Sequence, residues 1–132
     1  HNGDTVMGYR SQVVLAISKH LTPFLTLATS QNADAQTLVF NHADNFDRDY
    51  DGDKSWLLVW DAIKWYESYE DIQTIEKFIS EACNDEYKFE VEGNKELSSE
   101  HIRFVKVGEE SDDIELRGDG FWDIYPSTTI NY

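Results

Sequence analysis

The sequence WLLVWDAIKWYESYEDIQTIEKFISEAC, residues 56–83, decides the fold. Apolar side chains fill both alternating faces of its first five residues, Trp56–Trp60. This pattern is typical of a strand that is covered on both sides. We therefore expect a packing partner on each face of the sheet to which this strand belongs.

The period changes after Ser68, where apolar residues recur at intervals of three and four. The residues on this apolar side are Ile72, Ile75, Phe78, Ile79 and Ala82. Such spacing predicts an amphipathic helix that folds back on the strand. Ser68 is the expected N-cap, and Glu70 and Asp71 fall in the first turn, where negative charge favours the helix dipole.

A strand and a second helical region precede this unit. The β-branched and apolar segment Ser11–Ser18 predicts a buried first strand. Thr22 and Pro23 then suit an N-cap and a first helical position, and apolar residues continue at helical spacing. The polar residues that follow predict a break near Asn32, with Asp34 capping a second helical piece.

Residues 41–55, rich in Asp, Asn and Gly, are expected to form a loop. Beyond the central helix, alternation predicts a half-exposed strand over Tyr87–Val91, and a turn is expected at Gly93–Asn94. Further strands are expected at 102–107 and 113–117 (DIELR), with the acidic turn EESDD leading into the second. The pair Asp119–Gly120 predicts a hairpin turn, and Pro126 favours an edge position in an extended C-terminal segment.

The predicted order is β, α, β, α and then several strands. This order favours an α+β fold with a mixed or antiparallel sheet and two helices packed on one face. It is similar to a ferredoxin-like βαββαβ core with extra C-terminal strands. We expect one domain over residues 7–132, with residues 1–6 a non-native or disordered terminus and Met7 the native start.

The chain is strongly acidic. It carries 26 acidic and 11 basic residues, for a formal charge of -15, and the whole excess lies in residues 41–132. Direct nucleic-acid binding is disfavoured because phosphate contacts need clustered Lys and Arg. The charge favours a basic partner, although an acidic surface that only maintains solubility explains it equally well.

Cys83 is the single cysteine, so no intramolecular disulfide and no cysteine metal cluster can form. No apolar run approaches the roughly 20 residues that cross a bilayer, and the start lacks a signal sequence. The sequence therefore predicts a cytoplasmic protein with no membrane partner. It leaves the oligomeric state open.

The segment DRDYDGDKSW contains a partial calcium motif. Asp47, Asp49 and Asp51 occupy positions one, three and five of a calcium loop, and Gly52 occupies position six. Leu58 stands at the twelfth position, which requires a bidentate Glu, and a strand follows instead of a helix. A solvated acidic turn is the favoured interpretation, and calcium or small-ligand binding by the Asp47–Asp53 loop is the alternative.

The sequence contains no recognisable catalytic constellation. Its histidines are scattered, and it has neither a Gly-rich phosphate loop nor a nucleophile elbow. Paired acids such as Asp112 and Asp113 need an apolar cleft before they can act as acid and base. We therefore expect no enzymatic activity, no catalytic residues, no metal and no cofactor.

Three segments, MGYRSQVVLAI, WDAIKWYESYEDIQTIEKFI and RFVKVGEESDDIELRGDGFWDIYPSTTINY, cover roughly half of the chain. Together they resemble a group of short, uncharacterised proteins encoded in tailed-bacteriophage and prophage genomes. The resemblance implies a phage context and the cytoplasm of a bacterial host, and it transfers no catalytic residues. Residues 92–101 are extra length relative to that group.

These observations lead to a hypothesis of a non-enzymatic acidic phage protein that binds a basic host protein. In this hypothesis the protein is a host-takeover or anti-defence inhibitor that mimics nucleic-acid charge. The candidate partner-binding residues are Glu67, Tyr69, Glu70, Asp112, Asp113 and Glu115. The alternatives are the calcium or small-ligand domain and a structural or assembly component of the phage.

Overall fold

The computed structural model describes residues 8–127 and 129–132, so the expectation for residues 1–6 lies outside the described residues. Its helices and strands, in chain order, are β1 (Ser11–Ile17), α1 (Thr22–Thr29), α2 (Ala33–Phe40), β2 (Asn45–Asp47), β3 (Trp56–Ile63), α3 (Glu70–Cys83), β4 (Phe89–Val91), β5 (Asn94–Glu96), a 3-10 helix (Ser98–His101), β6 (Ile102–Val107), β7 (Ile114–Arg117), β8 (Tyr125–Pro126) and β9 (Ile130–Asn131).

The main sheet has five strands in the order β2-β3-β1-β6-β7, and all neighbours are antiparallel. Without β7, this is the strand order of a ferredoxin-like core, and β7 is the extra C-terminal strand. The predicted α+β fold is therefore confirmed. The prediction of one continuous loop over residues 41–55 was wrong, because β2 lies within it and supplies the second strand between the helical regions.

The helical regions differ from the prediction mainly at their caps. The first region breaks as expected, but Asn32 caps α2 by accepting a hydrogen bond from the Ala35 N–H at 2.8 Å, so Asp34 falls in the first turn. The N-cap of α3 is Tyr69 rather than Ser68. The Tyr69 N–H closes a turn onto the Tyr66 carbonyl, so the helical hydrogen bonds start one residue later than expected.

Both faces of β3 are covered, as its sequence predicts. Leu58 and Trp60 pack under the three helices, together with residues such as Phe78. Leu57 and Val59 face the other side, where the C-terminal segment contributes its buried isoleucines, Ile124 and Ile130. The sheet thus lies between a helical layer and a thinner layer made by the chain end.

The region between α3 and β6 is a hairpin outside the main sheet. β4 begins at Phe89 rather than Tyr87 and pairs with β5. The turn falls at Glu92 and Gly93, one residue earlier than expected, and both have positive φ values, 52° and 82°.

No helix among the described residues is long and apolar enough to span a bilayer.

The pair Asp119–Gly120 does not form the predicted hairpin turn. The Asp119 N–H donates to the Ser99 carbonyl at 2.7 Å, and the Gly120 N–H donates to Ile102 at 3.1 Å. A Cβ on Gly120 would lie 2.6 Å from the Glu100 carbonyl oxygen, so glycine allows this close approach. The chain passes here from β7 to the second face of the sheet, where Pro126 lies in the two-stranded β8–β9 sheet.

Candidate binding site at the acidic end of the sheet

The topology collects acidic residues at one end of the main sheet. Ser11, at the start of β1, pairs with Ile63 near the end of β3, and Gln12 pairs with Val107 at the end of β6. Since α3 follows β3 and an acidic turn follows β6, the start of α3 and this turn lie at the same end. We call this region the acidic end; its carboxylates are Asp44, Asp61, Glu67, Glu70, Asp71, Glu109, Glu110, Asp112 and Asp113.

Three adjoining open depressions, of about 570, 340 and 520 Å³, cross the acidic end. The first and second share Arg10 and Ala62, and the second and third share Tyr69 and Asp71. Together they form a furrow, which we call the acidic furrow. The carboxylates that line it are Asp34, Asp44, Asp61, Glu70, Asp71 and Glu109.

Three of the predicted partner-binding residues present open carboxylates at this end. Glu67, Glu70 and Asp112 are exposed. No side-chain hydrogen bond or ion pair joins them to another residue of the described chain. Tyr69 is half-buried beside the furrow, and its ring centroid lies 5.1 Å from that of Tyr66.

The other two predicted residues have partners within the chain. The Asp113 carboxylate accepts a hydrogen bond from the Tyr9 hydroxyl at 2.6 Å, and this bond is the main reason why the pKa of Tyr9 is raised. Glu115 pairs with Lys106 at 3.7 Å and with Arg117 at 3.4 Å. Both carboxylates therefore help to hold β7 and its preceding turn in place.

Tyr9 and Arg10 fix the geometry of the acidic end. The Arg10 N–H donates to the Glu109 carboxylate at 2.7 Å, and its guanidinium donates to the Ala62 carbonyl at 3.3 Å. The Tyr9 hydroxyl also accepts from the Glu110 N–H at 3.1 Å. Asp61 and Glu109 are far from Arg10 in the sequence and show no local site pattern, and only the strand register brings them beside Arg10.

The aspartates of residues 47–53 are used differently. Asp47 accepts from the Asp49 N–H, and Asp49 accepts from the Lys54 N–H, at 2.9 and 2.8 Å. Asp51 accepts from the amides of Asp53 and Ser55 and from the Ser55 hydroxyl. Burial raises the pKa of Asp51, but these hydrogen bonds outweigh it and hold the pKa below its ordinary value.

The carboxylates of this loop thus satisfy its own amides. Among the described residues, no three His, Cys, Asp or Glu side chains are grouped in a way that could hold a metal ion.

Ser18, His101 and Glu96 form a hydrogen-bonded chain at the opposite end of the sheet. The Ser18 hydroxyl lies 2.8 Å from His101 Nδ1, and His101 Nε2 lies 3.5 Å from Glu96. Burial is the main cause that lowers the pKa of His101. The hydroxyl also accepts from the His20 N–H, and the depressions described above lie elsewhere, so this group ties β1 to the start of β6.

Comparison with known proteins identifies no relative: no family model matches the chain, and no curated protein or solved structure is significantly similar to it.

Proposed function

We propose that this protein is a non-enzymatic binding protein whose acidic end receives a basic surface of a host protein. One observation carries the proposal, namely the continuous open furrow lined by carboxylates, at the same end of the sheet as the exposed Glu67 and Asp112. Arg10 and Lys64 are the basic residues that line this furrow. A partner with clustered Lys or Arg side chains has the complementary charge.

The shape of the site suits long cationic side chains. The depressions are open, so a lysine or arginine can enter with its charged group among carboxylates while its stem lies along apolar walls such as Ala62 and Leu38. Tyr69 and Tyr66 offer ring faces for cation–π contact. Coulomb steering towards this end speeds encounter and weakens as salt is added.

The proposed biological setting is a phage-infected bacterium. The resemblance to short phage and prophage proteins supports this setting, and the charge supports a target that normally binds nucleic acid. Carboxylates in the acidic furrow would occupy sites that otherwise bind phosphate groups. In this role the protein is a host-takeover or anti-defence inhibitor that competes with nucleic acid.

The test compares two variants with the same change in net charge. Glu67→Lys with Asp112→Lys reverses two exposed carboxylates at the acidic end, and Glu86→Lys with Glu92→Lys reverses two exposed carboxylates beyond α3. Wild type and both variants are immobilised, bacterial lysate is applied, and bound proteins are eluted in steps of salt. Thermal melts of all three chains check that each is folded.

We expect wild type and the Glu86/Glu92 variant to retain the same basic protein, and the Glu67/Asp112 variant to lose it. With that protein purified, the affinity should fall by at least about tenfold for the Glu67/Asp112 variant. Double-stranded DNA should compete with the chain for it. Equal retention by both variants would reject the acidic end as the binding site, and binding unaffected by DNA would reject nucleic-acid mimicry.

A further inference from the structure

The outer edge of β7 is a feature that the proposed function does not use. This strand is the last in the order β2-β3-β1-β6-β7, and no strand of the described chain pairs with its outer side. The Gly108 N–H donates to the Asp113 carbonyl, so these two residues form a hydrogen-bonded pair. Because such pairs alternate along an antiparallel ladder, the backbone N–H and C=O groups of Glu115 and Arg117 point towards β6. The N–H and C=O of Leu116 therefore point away from the sheet.

The same edge is apolar. The side chains of Ile114 and Leu116 share one face of β7 and are 44% and 48% exposed. Tyr125 of the neighbouring β8 is also exposed, at 50%. A cluster of exposed apolar side chains beside open backbone groups is typical of an interaction surface.

We propose that β7 pairs with β7 of a second copy of this chain in an antiparallel ladder, with the two-fold axis at Leu116. In this register, the outward N–H and C=O of Leu116 exchange hydrogen bonds with those of the partner's Leu116. Glu115 of each copy then lies opposite Arg117 of the other, in a non-hydrogen-bonded pair where side chains approach closely. The five-stranded sheet becomes a continuous sheet across both copies.

The charge of β7 is the reason for choosing a second copy as the occupant. A two-fold interface must be complementary to itself. The sequence Ile114–Arg117 satisfies this condition when Leu116 lies on the axis, because each copy then supplies one acid and one base to the other. A register centred on Glu115 would place that carboxylate against its own copy, which is unfavourable.

The ends of the paired region are limited by the structure. Gly118 has φ of +89°, and the following Asp119 N–H binds Ser99, so the chain leaves the edge directly after Arg117. The pairing is short, and Tyr125 of the neighbouring β8 provides apolar surface beside it. Because each copy carries a formal charge of -15, the association should strengthen as salt is added. Partner binding at the acidic end should weaken under the same conditions.

The register is tested by cysteine cross-linking in a Cys83→Ala background. A disulfide requires Cα atoms within about 7 Å, and residues opposite each other in a hydrogen-bonded pair lie about 5.5 Å apart. Leu116→Cys places the two thiols on the axis. Ile114→Cys is the matched control, because the two copies of residue 114 lie on opposite sides of the axis, well beyond disulfide reach.

We expect the Leu116→Cys variant to form a covalent dimer at least about tenfold faster than the Ile114→Cys variant under mild oxidation, because only residue 116 meets its own copy. Sedimentation of wild type, from micromolar to millimolar protein in high salt, should show a monomer–dimer equilibrium. Leu116→Lys should shift it to monomer while leaving the capture of a basic protein at the acidic end unchanged, which separates this inference from the proposed function. A wild type that stays monomeric throughout, or equal cross-linking of the two cysteine variants, would overturn it.

Discussion

The two ends of the sheet are both acidic, but they use their carboxylates in opposite ways. In the loop of residues 47–53, Asp47, Asp49 and Asp51 accept hydrogen bonds from amides of the same loop, and Asp53 pairs with Lys19 at 2.9 Å. At the acidic end, exposed carboxylates from separate elements surround an open furrow. The loop carboxylates thus stabilise the loop itself, while the exposed carboxylates of the acidic end face solvent.

The difference arises from spacing along the chain. Aspartates two residues apart can reach the amides of their own turn, which is the usual behaviour of Asp in loops. Glu67 and Asp112 come from distant parts of the sequence, and only strand pairing brings them to the same end of the sheet. In this chain the run of aspartates therefore builds local structure, whereas the acids that stay open to solvent come from separate elements.

The largest difference in stability between the two regions is expected from substitution of Asp51. Asp51→Ala should lower the free energy of unfolding by about 2 kcal/mol, because two amides and the Ser55 hydroxyl lose a charged acceptor. Asp112→Ala removes the same group at the acidic end and should change stability by no more than about 0.5 kcal/mol. Urea unfolding of both variants measures the difference, and equal losses would break the contrast.

Part of the Asp51 effect should depend on pH. The folded state holds the pKa of this carboxyl below its ordinary value, so the unfolded state binds a proton first as the pH falls. The stabilisation is complete above the unfolded pKa of about 3.9 and is lost as the pH falls through the folded pKa. The stability difference between wild type and Asp51→Asn should therefore be constant near neutrality and shrink below about pH 4. A gap that widened on acidification would contradict this assignment.

The loop also contains a basic residue, Arg48, that packs against aromatic rings. The Arg48 guanidinium lies 4.6 Å from the centroid of Phe46 and 5.8 Å from that of Trp56. Arg48→Ala should cost about 1 kcal/mol, through lost cation–π contact and packing. Arg48→Lys should recover part of this loss, and thermal melts of the two variants measure it. If Arg48→Ala leaves the melting temperature unchanged, the guanidinium is not stabilising the loop.

The smallest effect is expected where charges only repel. Glu67→Gln combined with Asp112→Asn should stabilise the fold by a few tenths of a kcal/mol at low salt, because it removes two charges from a crowded acidic region. Asp53→Asn should give no gain, since it breaks the exposed pair with Lys19. Added salt should erase the gain of the first variant. Stabilisation that persisted in molar salt would exclude repulsion as its cause.

The parts of the fold that bury whole strands and helix faces could be predicted from the sequence. β1, β3, β6 and α3 were recognised because their side-chain periods are set by burial on one or both sides. β2 was missed because it has only three residues, in a polar loop, and exists by pairing with β3. The hairpin turn expected at Asp119–Gly120 was wrong because the amides of those residues donate to Ser99 of the 3-10 helix and to Ile102 of β6 instead.

The candidate site could be predicted only in part. Glu67 and Glu70 were identified from the local sequence, but the furrow beside them depends on the register that brings Arg10 next to Ala62. The ion pair between Glu115 and Arg117 could not be predicted from the sequence either. The Arg117 guanidinium is held by the Glu76 carboxylate of α3 at 2.6 Å, a contact between distant residues. Contacts between residues far apart in the sequence leave no local pattern.

The central position of β1 has a consequence for synthesis of the chain. β1 is buried on both faces, and Val14 pairs with Val105 on one side and with Val59 on the other. During translation, this apolar strand leaves the ribosome long before β6 can cover its second edge. Such non-local pairing slows folding and leaves an unpaired, aggregation-prone edge in the nascent chain. A shielding factor that holds the emerging strand should therefore raise the yield of soluble protein.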